Sequence, residues 1–172
     1  MAQFRWRPMT EADLASVAQI AAIAFPHHYE DPACFAERLA LSPVWCFGLE
    51  DEEGALKGYP VAYPWPLGAI PPLNARLGAL PDGSDALFLH DLALHPDIAG
   101  TGQAGAIVEQ IAAEAQAAGF DDIALVAVND TAGFWERRGF TIAGGPPSFR
   151  AKLATYGEGA RYMRRHLANQ LA

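Results

Sequence analysis

The residues of this chain whose types and spacing could do chemistry lie in the run His90-Asp91-Leu92-Ala93-Leu94-His95 and the turn Gly100-Thr101-Gly102-Gln103-Ala104-Gly105. A histidine, with an ordinary pKa near ~6.5, can take up a proton at neutral pH. A glycine turn that opens a helix aims unpaired backbone N–H groups and the positive end of a helix dipole at one point. Such a turn binds phosphate without a basic side chain. The turn formally satisfies Gly-x-Gly-x-x-Gly, the dinucleotide fingerprint, which alone is weakly specific. In a dinucleotide fold the strand runs straight into the first glycine, whereas here His95-Pro-Asp-Ile-Ala99 intervenes. No Gly-Lys-Ser/Thr follows, so a nucleoside-triphosphate loop fits worse still.

The elements that must position these residues can be read from periodicity and punctuation. Gln3 to Arg7 reads as a short strand stopped by Pro8, and Thr10-Glu-Ala-Asp13 as a capping box. Leu14, Val17, Ala18, Ala21 and Phe25 have the spacing of an amphipathic helix, broken at Pro26-His27-His28-Tyr29. Asp31-Pro32 starts a second helix with Phe35 and Leu39 on its buried face. Val44 to Leu49 and Leu56 to Tyr63 read as a hairpin around the acidic turn Glu50 to Gly54, which reads as a solvated tip. Residues 64 to 84, opening Pro-Trp-Pro, exclude regular structure and read equally as a functional lid or a packed surface loop.

Ala86 to Leu94 is the strand that carries His90, and a helix runs from Gly102 to Gly119. Ile123 to Val128 is a continuous apolar run, as expected of a strand buried on both faces. Strand, helix and strand make a βαβ unit with parallel strands. Asn129-Asp-Thr caps a short helix ending at Gly139, and Phe140 to Ala143 and Arg161 to Leu167 are closing strands. Along the His90 strand, alternation puts Phe88, His90, Leu92 and Leu94 on one face and Asp91 on the other.

Bulk composition narrows the function classes. At 172 residues, half of them apolar, the chain reads as one globular domain over residues 1–172. Twelve basic against twenty acidic residues give a net charge of −8, which argues against a nucleic-acid or anionic-membrane surface. Cys34 and Cys46 form no metal-spaced or CxxC pattern, so neither a metal nor a redox centre is expected. No signal-like or membrane-spanning run is present, making the cytoplasm the default.

Three stretches resemble the GNAT superfamily of acyl-CoA-dependent N-acetyltransferases, in order and spacing over roughly residues 4 to 167. Phe4-Arg-Trp-Arg-Pro-Met-Thr-Glu-Ala-Asp-Leu14 is similar to that family's first strand and helix start. Leu92 to Ala104 is similar to its pyrophosphate turn, written Arg/Gln-x-x-Gly-x-Gly/Ala, with Ala99 in place of the Arg or Gln. Asn129-Asp-Thr-Ala-Gly-Phe-Trp-Glu-Arg-Arg-Gly-Phe140 is similar to the segment after its fifth strand. The resemblance implies a mixed α/β fold with a mostly antiparallel central sheet, one parallel βαβ unit and helices on both faces. It also implies acetyl-CoA as co-substrate and a small amine or amino-group substrate acetylated by direct transfer; a homodimer is left open.

It further implies roles for named residues. The main chain of Leu92, Ala93 and Leu94 would grip pantetheine like an added strand, and the turn from Ala99 through Gly105 would hold the pyrophosphate. The N–H of Leu92 would polarise the thioester oxygen. His90 resembles the catalytic histidine of a family member whose strand reads His-x-x-Ala-Val-His, and is the expected base; the alternative is a hydrogen-bonded core histidine. Asp91 would orient a neighbour or form an ion pair. Asn129 would touch coenzyme or simply cap a helix. Trp135, assigned to the coenzyme site, stands where many members have a Tyr; its indole donates a hydrogen bond but cannot deliver a proton, which leaves unaided departure of the thiolate, water, or another phenol such as Tyr156 or Tyr162. His28 and Tyr29 fall in the family's acceptor loop. The rival readings are a non-catalytic acyl-CoA-binding sensor and an NAD(P)-dependent oxidoreductase.

Overall fold

A computed structural model describes residues 3–167. Strand β1 (Arg5–Pro8) leads through a single 3₁₀ turn into helix α1 (Leu14–Ala24). The Asp13 carboxylate accepts the Thr10 N–H at 2.8 Å and is clasped by Arg7, so the capping residues also tie the helix start to the strand. Helix α2 (Pro32–Leu41) begins where expected, with Asp31 Oδ1 accepting the Ala33 N–H at 2.9 Å and Pro32 in the first helical position.

The expected strand from Val44 begins later. Pro43 to Trp45 form a 3₁₀ turn, and β2 (Phe47–Glu50) follows. Its hairpin partner β3 (Leu56–Trp65) is longer than expected, because Pro64 and Trp65 still pair with β4 (Ala86–Leu94). Both strand prolines, Pro60 and Pro64, sit at positions where β4 asks for no N–H from them, which is how a strand this central tolerates them. Helix α3 (Gln103–Ala117), β5 (Asp122–Ala127), the short α4 (Ala132–Glu136), β6 (Thr141–Ile142), an unforeseen helix α5 (Phe149–Ala154) and β7 (Arg161–His166) complete the described chain.

The strands form one sheet in the order β1-β2-β3-β4-β5-β7-β6, antiparallel everywhere except between β4 and β5. Helices cover both faces. Val17, Phe35, Leu39, Tyr59, Tyr63 and Phe88 belong to the core under α1 and α2, and Leu87, Leu89, Ile107, Ile111 and Leu125 to the core under α3. A doubly wound dinucleotide sheet would need further parallel units, so this sheet is not of that kind.

The parallel pairing is short. Ala86, Leu87 and Phe88 pair with Asp122, Ile123 and Ala124, and beyond them the two strands part. The sheet is thus split from its middle to one edge, and the cleft described next lies in the split.

Candidate active site

Backbone hydrogen bonding decides which way β4 offers its main chain. His95 donates its N–H to the Lys57 carbonyl at 2.7 Å, so His95, Ala93 and Asp91 face β3. Leu92 lies opposite Pro60, which has no N–H to give. The N–H and C=O groups of Leu92 and Leu94 therefore point away from β3, into the gap left by the departing β5. That is the free edge at which an extended arm can add as a strand.

A register shift in β4 changes the side chains. Val61 pairs with Asp91 and Ala62 with Leu89, so His90 is the extra residue of a β-bulge. Alternation through the bulge is broken. His90 and Asp91 both face the α1–α2 side, and Leu92 faces the other, reversing the expected placement of Asp91 and Leu92. One observation proves it: Asp91 Oδ2 accepts the hydroxyl of Tyr59, a residue of the α1–α2 core, at 3.3 Å.

Around His90 the fold assembles a buried polar cluster whose key member, Glu30, sequence reading missed. His90 Nε2 is hydrogen-bonded to Glu30 Oε1 at 2.9 Å, and Nδ1 to the Tyr63 hydroxyl at 2.9 Å. Glu30 Oε2 accepts from Arg38 Nη2 at 2.5 Å and from the Asn74 N–H at 3.0 Å. The Arg38 side chain is 0% exposed and that of Glu30 3%. Burial alone would raise the Glu30 pKa, but the charge and hydrogen bonds of His90 and Arg38 win and hold the carboxyl well below the usual range. Burial pushes the Asp91 pKa up, and the negative charge of Glu30 adds to it, against the opposing pull of His90 and Arg38. Burial also pushes the phenols of Tyr59 and Tyr63 well above their ordinary range, which keeps both as hydrogen-bond donors.

Glu30 carried no readable signal. It lies in the break between two helices, next to the expected acceptor loop, in a segment whose other residues are polar and ordinary. Arg38 could have been found: it follows Phe35 by three and precedes Leu39 on the apolar face of α2, an unexpected place for a cation.

The cleft has a volume of about 230 Å³ and is lined by His28, Glu30, His90, Asp91, Leu92, Leu94, Ala104, Trp135 and Tyr156, among others. Apart from Thr131, its remaining wall is apolar, with Phe25, Leu73, Val126, Val128 and Phe134 among its residues. Ligand atoms of Glu30, His90 and Asp91 lie within 4.8 Å of one another, a spacing a metal ion could bridge. Arg38 already occupies Glu30 and its fixed positive charge opposes a second cation there.

The other expected site residues divide. Ala99, Gly100, Thr101 and Gly102 form an exposed turn at the start of α3; Gly102, at φ 83°, is its left-handed N-cap, and Gln103 is the first helical residue. Ala93 is buried against the α1–α2 core. Gly105 is buried beneath the side chain of Arg138. Asn129 is not the cap of α4, which is Thr131; it adopts φ 55° and lines a neighbouring hollow of about 300 Å³ with His27, His28 and Tyr156. Tyr29 is 67% exposed and does not reach the cleft.

Of the two phenols, Tyr156 lines the cleft and donates its hydroxyl to the Pro71 carbonyl at 2.5 Å, whereas the Tyr162 hydroxyl accepts the Gly68 N–H at 2.8 Å away from it. The proline-rich loop after β3 is tethered rather than loose. Glu37 accepts the N–H groups of Leu77 at 2.6 Å and Gly78 at 3.1 Å, and Asn74 Oδ1 accepts the N–H of Asp31 at 2.8 Å.

Residues 14–140, which carry the split in this sheet and its glycine turn, match the family model described as Acetyltransferase (GNAT) family. The chain belongs to that family. No curated protein sequence matches it. Among solved structures, Ard1 from Thermoplasma volcanium superimposes with a TM-score of 0.73 at 15% identity, over 96% of this chain and 99% of that one. The GphF GNAT-like decarboxylase in complex with isobutyryl-CoA gives 0.80 at 19% identity, over 95% and 100%. N-acetylglutamate synthase from Neisseria gonorrhoeae, complexed with coenzyme A and N-acetyl-glutamate, gives 0.70 at 18% identity; this chain is covered over 98%, but only 36% of that one is. At these identities the likeness is one of fold. No described helix is long and apolar enough to cross a membrane.

Proposed function

We propose that the chain transfers the acetyl group of acetyl-CoA to a small amine or amino-group substrate by direct attack. One observation carries this reading: the free main-chain edge of Leu92 and Leu94 and the polar cluster of Asp91, His90 and Glu30 open onto the same cleft. Two of the similar solved structures hold coenzyme A or isobutyryl-CoA, and the glycine turn offers such phosphates a helix N-terminus.

In this mechanism pantetheine lies along β4, and the Leu92 N–H donates to the thioester oxygen as negative charge develops on it. The amine nitrogen bonds to the carbonyl carbon and the C–S bond breaks; the proton that the nitrogen sheds on becoming an amide passes through water to the departing thiolate. The proton lost by the attacking ammonium goes to the cluster. Both ring nitrogens of His90 are engaged, one by ionised Glu30 and one by Tyr63, and its side chain is 1% exposed. Asp91 has one oxygen without a partner among the described residues and stands at the cleft wall. Asp91 is therefore the first proton acceptor, with His90, held between Glu30 and Tyr63, behind it. Cys34 and Cys46 are buried and lack an adjacent base, which supports direct transfer over an acyl-enzyme.

The test is release of coenzyme A thiol from acetyl-CoA against a panel of amines, amino acids and peptide N-termini. Amine-dependent release with formation of the acetylated product is the expected result. Binding of acetyl-CoA without release against any amine would instead make the cleft an acyl-CoA-binding module.

A further inference from the structure

We propose that Arg138 binds the pyrophosphate of the coenzyme, reaching the glycine turn from a distant part of the chain through space that Gly105 leaves open. The proposal rests on the coenzyme A reading above and adds a residue to it.

The turn from Ala99 to Gly105 contains no basic side chain. The fold brings one to it. Arg138 follows α4, and its guanidinium lies on the first turn of α3. A Cβ placed on Gly105 would fall 2.4 Å from Arg138 Nη2, 2.7 Å from Cζ and 3.0 Å from Nε. Only glycine leaves the guanidinium where it is. The same group lies 5.1 Å from the ring centroid of Phe134, a cleft-lining residue, as Ala104 beside Gly105 also is.

Among the described arginines that meet no carboxylate, Arg138 alone has a buried side-chain nitrogen without a hydrogen-bond partner. Arg5, Arg7, Arg38, Arg164 and Arg165 each meet a carboxylate. Arg138 pairs with none among the described residues, in a chain of net charge −8, and its Nε is buried without a hydrogen-bond partner. It sits at the end of a 15-residue helix where the dipole is positive and the first N–H groups lack intrahelical acceptors. A cation is unfavourable there unless an anion sits beside it at the helix end. A pyrophosphate supplies that anion, accepting from the amides on one side and from the planar guanidinium fork on the other. Stacking on Phe134 holds the fork in place before the ligand arrives.

The experiment is calorimetric titration of the purified chain with coenzyme A, 3′-dephospho-coenzyme A and pantetheine. Arg138→Gln keeps an aliphatic stem over Phe134 and removes the charge; Arg138→Ala removes both. Each variant is expected to bind coenzyme A and its dephospho form roughly 10- to 100-fold more weakly, as for loss of a charged hydrogen bond, with pantetheine binding unchanged. Gly105→Ala displaces the flexible end of Arg138 and is expected to cost a similar factor. Combined with Arg138→Gln it should add nothing, because both changes remove one interaction. Arg137→Ala, at the exposed neighbouring position, controls for overall charge and should leave affinity near wild type.

Wild-type affinity for coenzyme A in Arg138→Gln overturns the proposal and leaves Arg138 a packing residue. A loss confined to coenzyme A, with dephospho-coenzyme A unaffected, also overturns it, because the contact would then be to the 3′-phosphate. Wild-type protein that binds neither nucleotide overturns the coenzyme reading, and this proposal with it; that outcome is distinct because it precedes any substitution.

Discussion

Glu30 and His90 lie 60 residues apart in the chain and 2.9 Å apart in the fold, joined where the break between α1 and α2 meets the bulge of β4. Behind them Arg38 is sealed from solvent with Glu30 as its one ion-pair partner among the described residues, and its Nε and Nη1 have no hydrogen-bond partner. The pair thus joins an element of the fold's stability to an element of its chemistry.

Removing the charge of Glu30 strands the Arg38 cation. Glu30→Gln is expected to lower unfolding free energy by about 3–5 kcal/mol, the usual cost of breaking a buried pair from one side. Urea unfolding followed by tryptophan fluorescence measures it. The Glu30 pKa is depressed in the folded state, so its contribution is complete above the unfolded value of about 4.3 and is lost as pH falls below it. The gap between wild type and Glu30→Gln should therefore be widest near neutrality and narrow in acid. A gap independent of pH would mean that the carboxylate charge is not what Arg38 needs.

Asp91→Asn tests the proton path. With Asp91 as first acceptor, kcat/KM should fall by roughly 10²–10⁴-fold, a typical general-base contribution, with coenzyme affinity nearly intact. Activity in wild type should rise with pH as Asp91 ionises, over a range above that of an ordinary aspartate because burial raises its pKa. The variant should lack that rise. His90→Ala should also lower kcat at neutral pH with coenzyme binding retained, and a pH–rate profile unchanged from wild type would remove His90 from the mechanism.

The two cysteines should be silent in the native protein. Cys46 is fully buried and its thiol is pushed up to about 12, chiefly by burial; burial raises Cys34 as well. Iodoacetamide at neutral pH is expected neither to label them nor to reduce turnover until denaturant is added. An acetylated cysteine detected by mass spectrometry during turnover would replace direct transfer with an acyl-enzyme route.

Gly102 holds the left-handed N-cap of α3 with no neighbour within reach of an added Cβ, so alanine there is strained by backbone conformation alone. Gly102→Ala should cost about 1 kcal/mol of stability and turn the amides of the phosphate turn out of alignment. Thermal melts with and without coenzyme A separate the two effects: a lower Tm in both, and a smaller rise on adding coenzyme. A ligand-induced rise equal to wild type would show that the turn tolerates the change.

Local chemistry made much of the fold legible. Asp31-Pro32 and Thr10 to Asp13 mark helix starts because caps act within a few residues, and Ala86–Leu94 reads as a strand from its own composition. The βαβ unit followed from its connection, and the glycine turn from the conformations only glycine enters easily. Where prolines misled, the reason was also local: whether Pro64 can sit in a strand depends on which neighbour asks for its N–H, and a single strand does not reveal its neighbours.

By itself the sequence determined the class of fold, the glycine turn and the strand that carries His90, because each is specified by residues close together in the chain. Tertiary structure alone decided that the bulge brings Asp91 round to the His90 side, that Glu30 links His90 to Arg38 of α2, and that Arg138 lies over Gly105. Those are relations between residues distant in the chain, and bulge register, burial and charge pairing take definite values only once the strands and helices have packed.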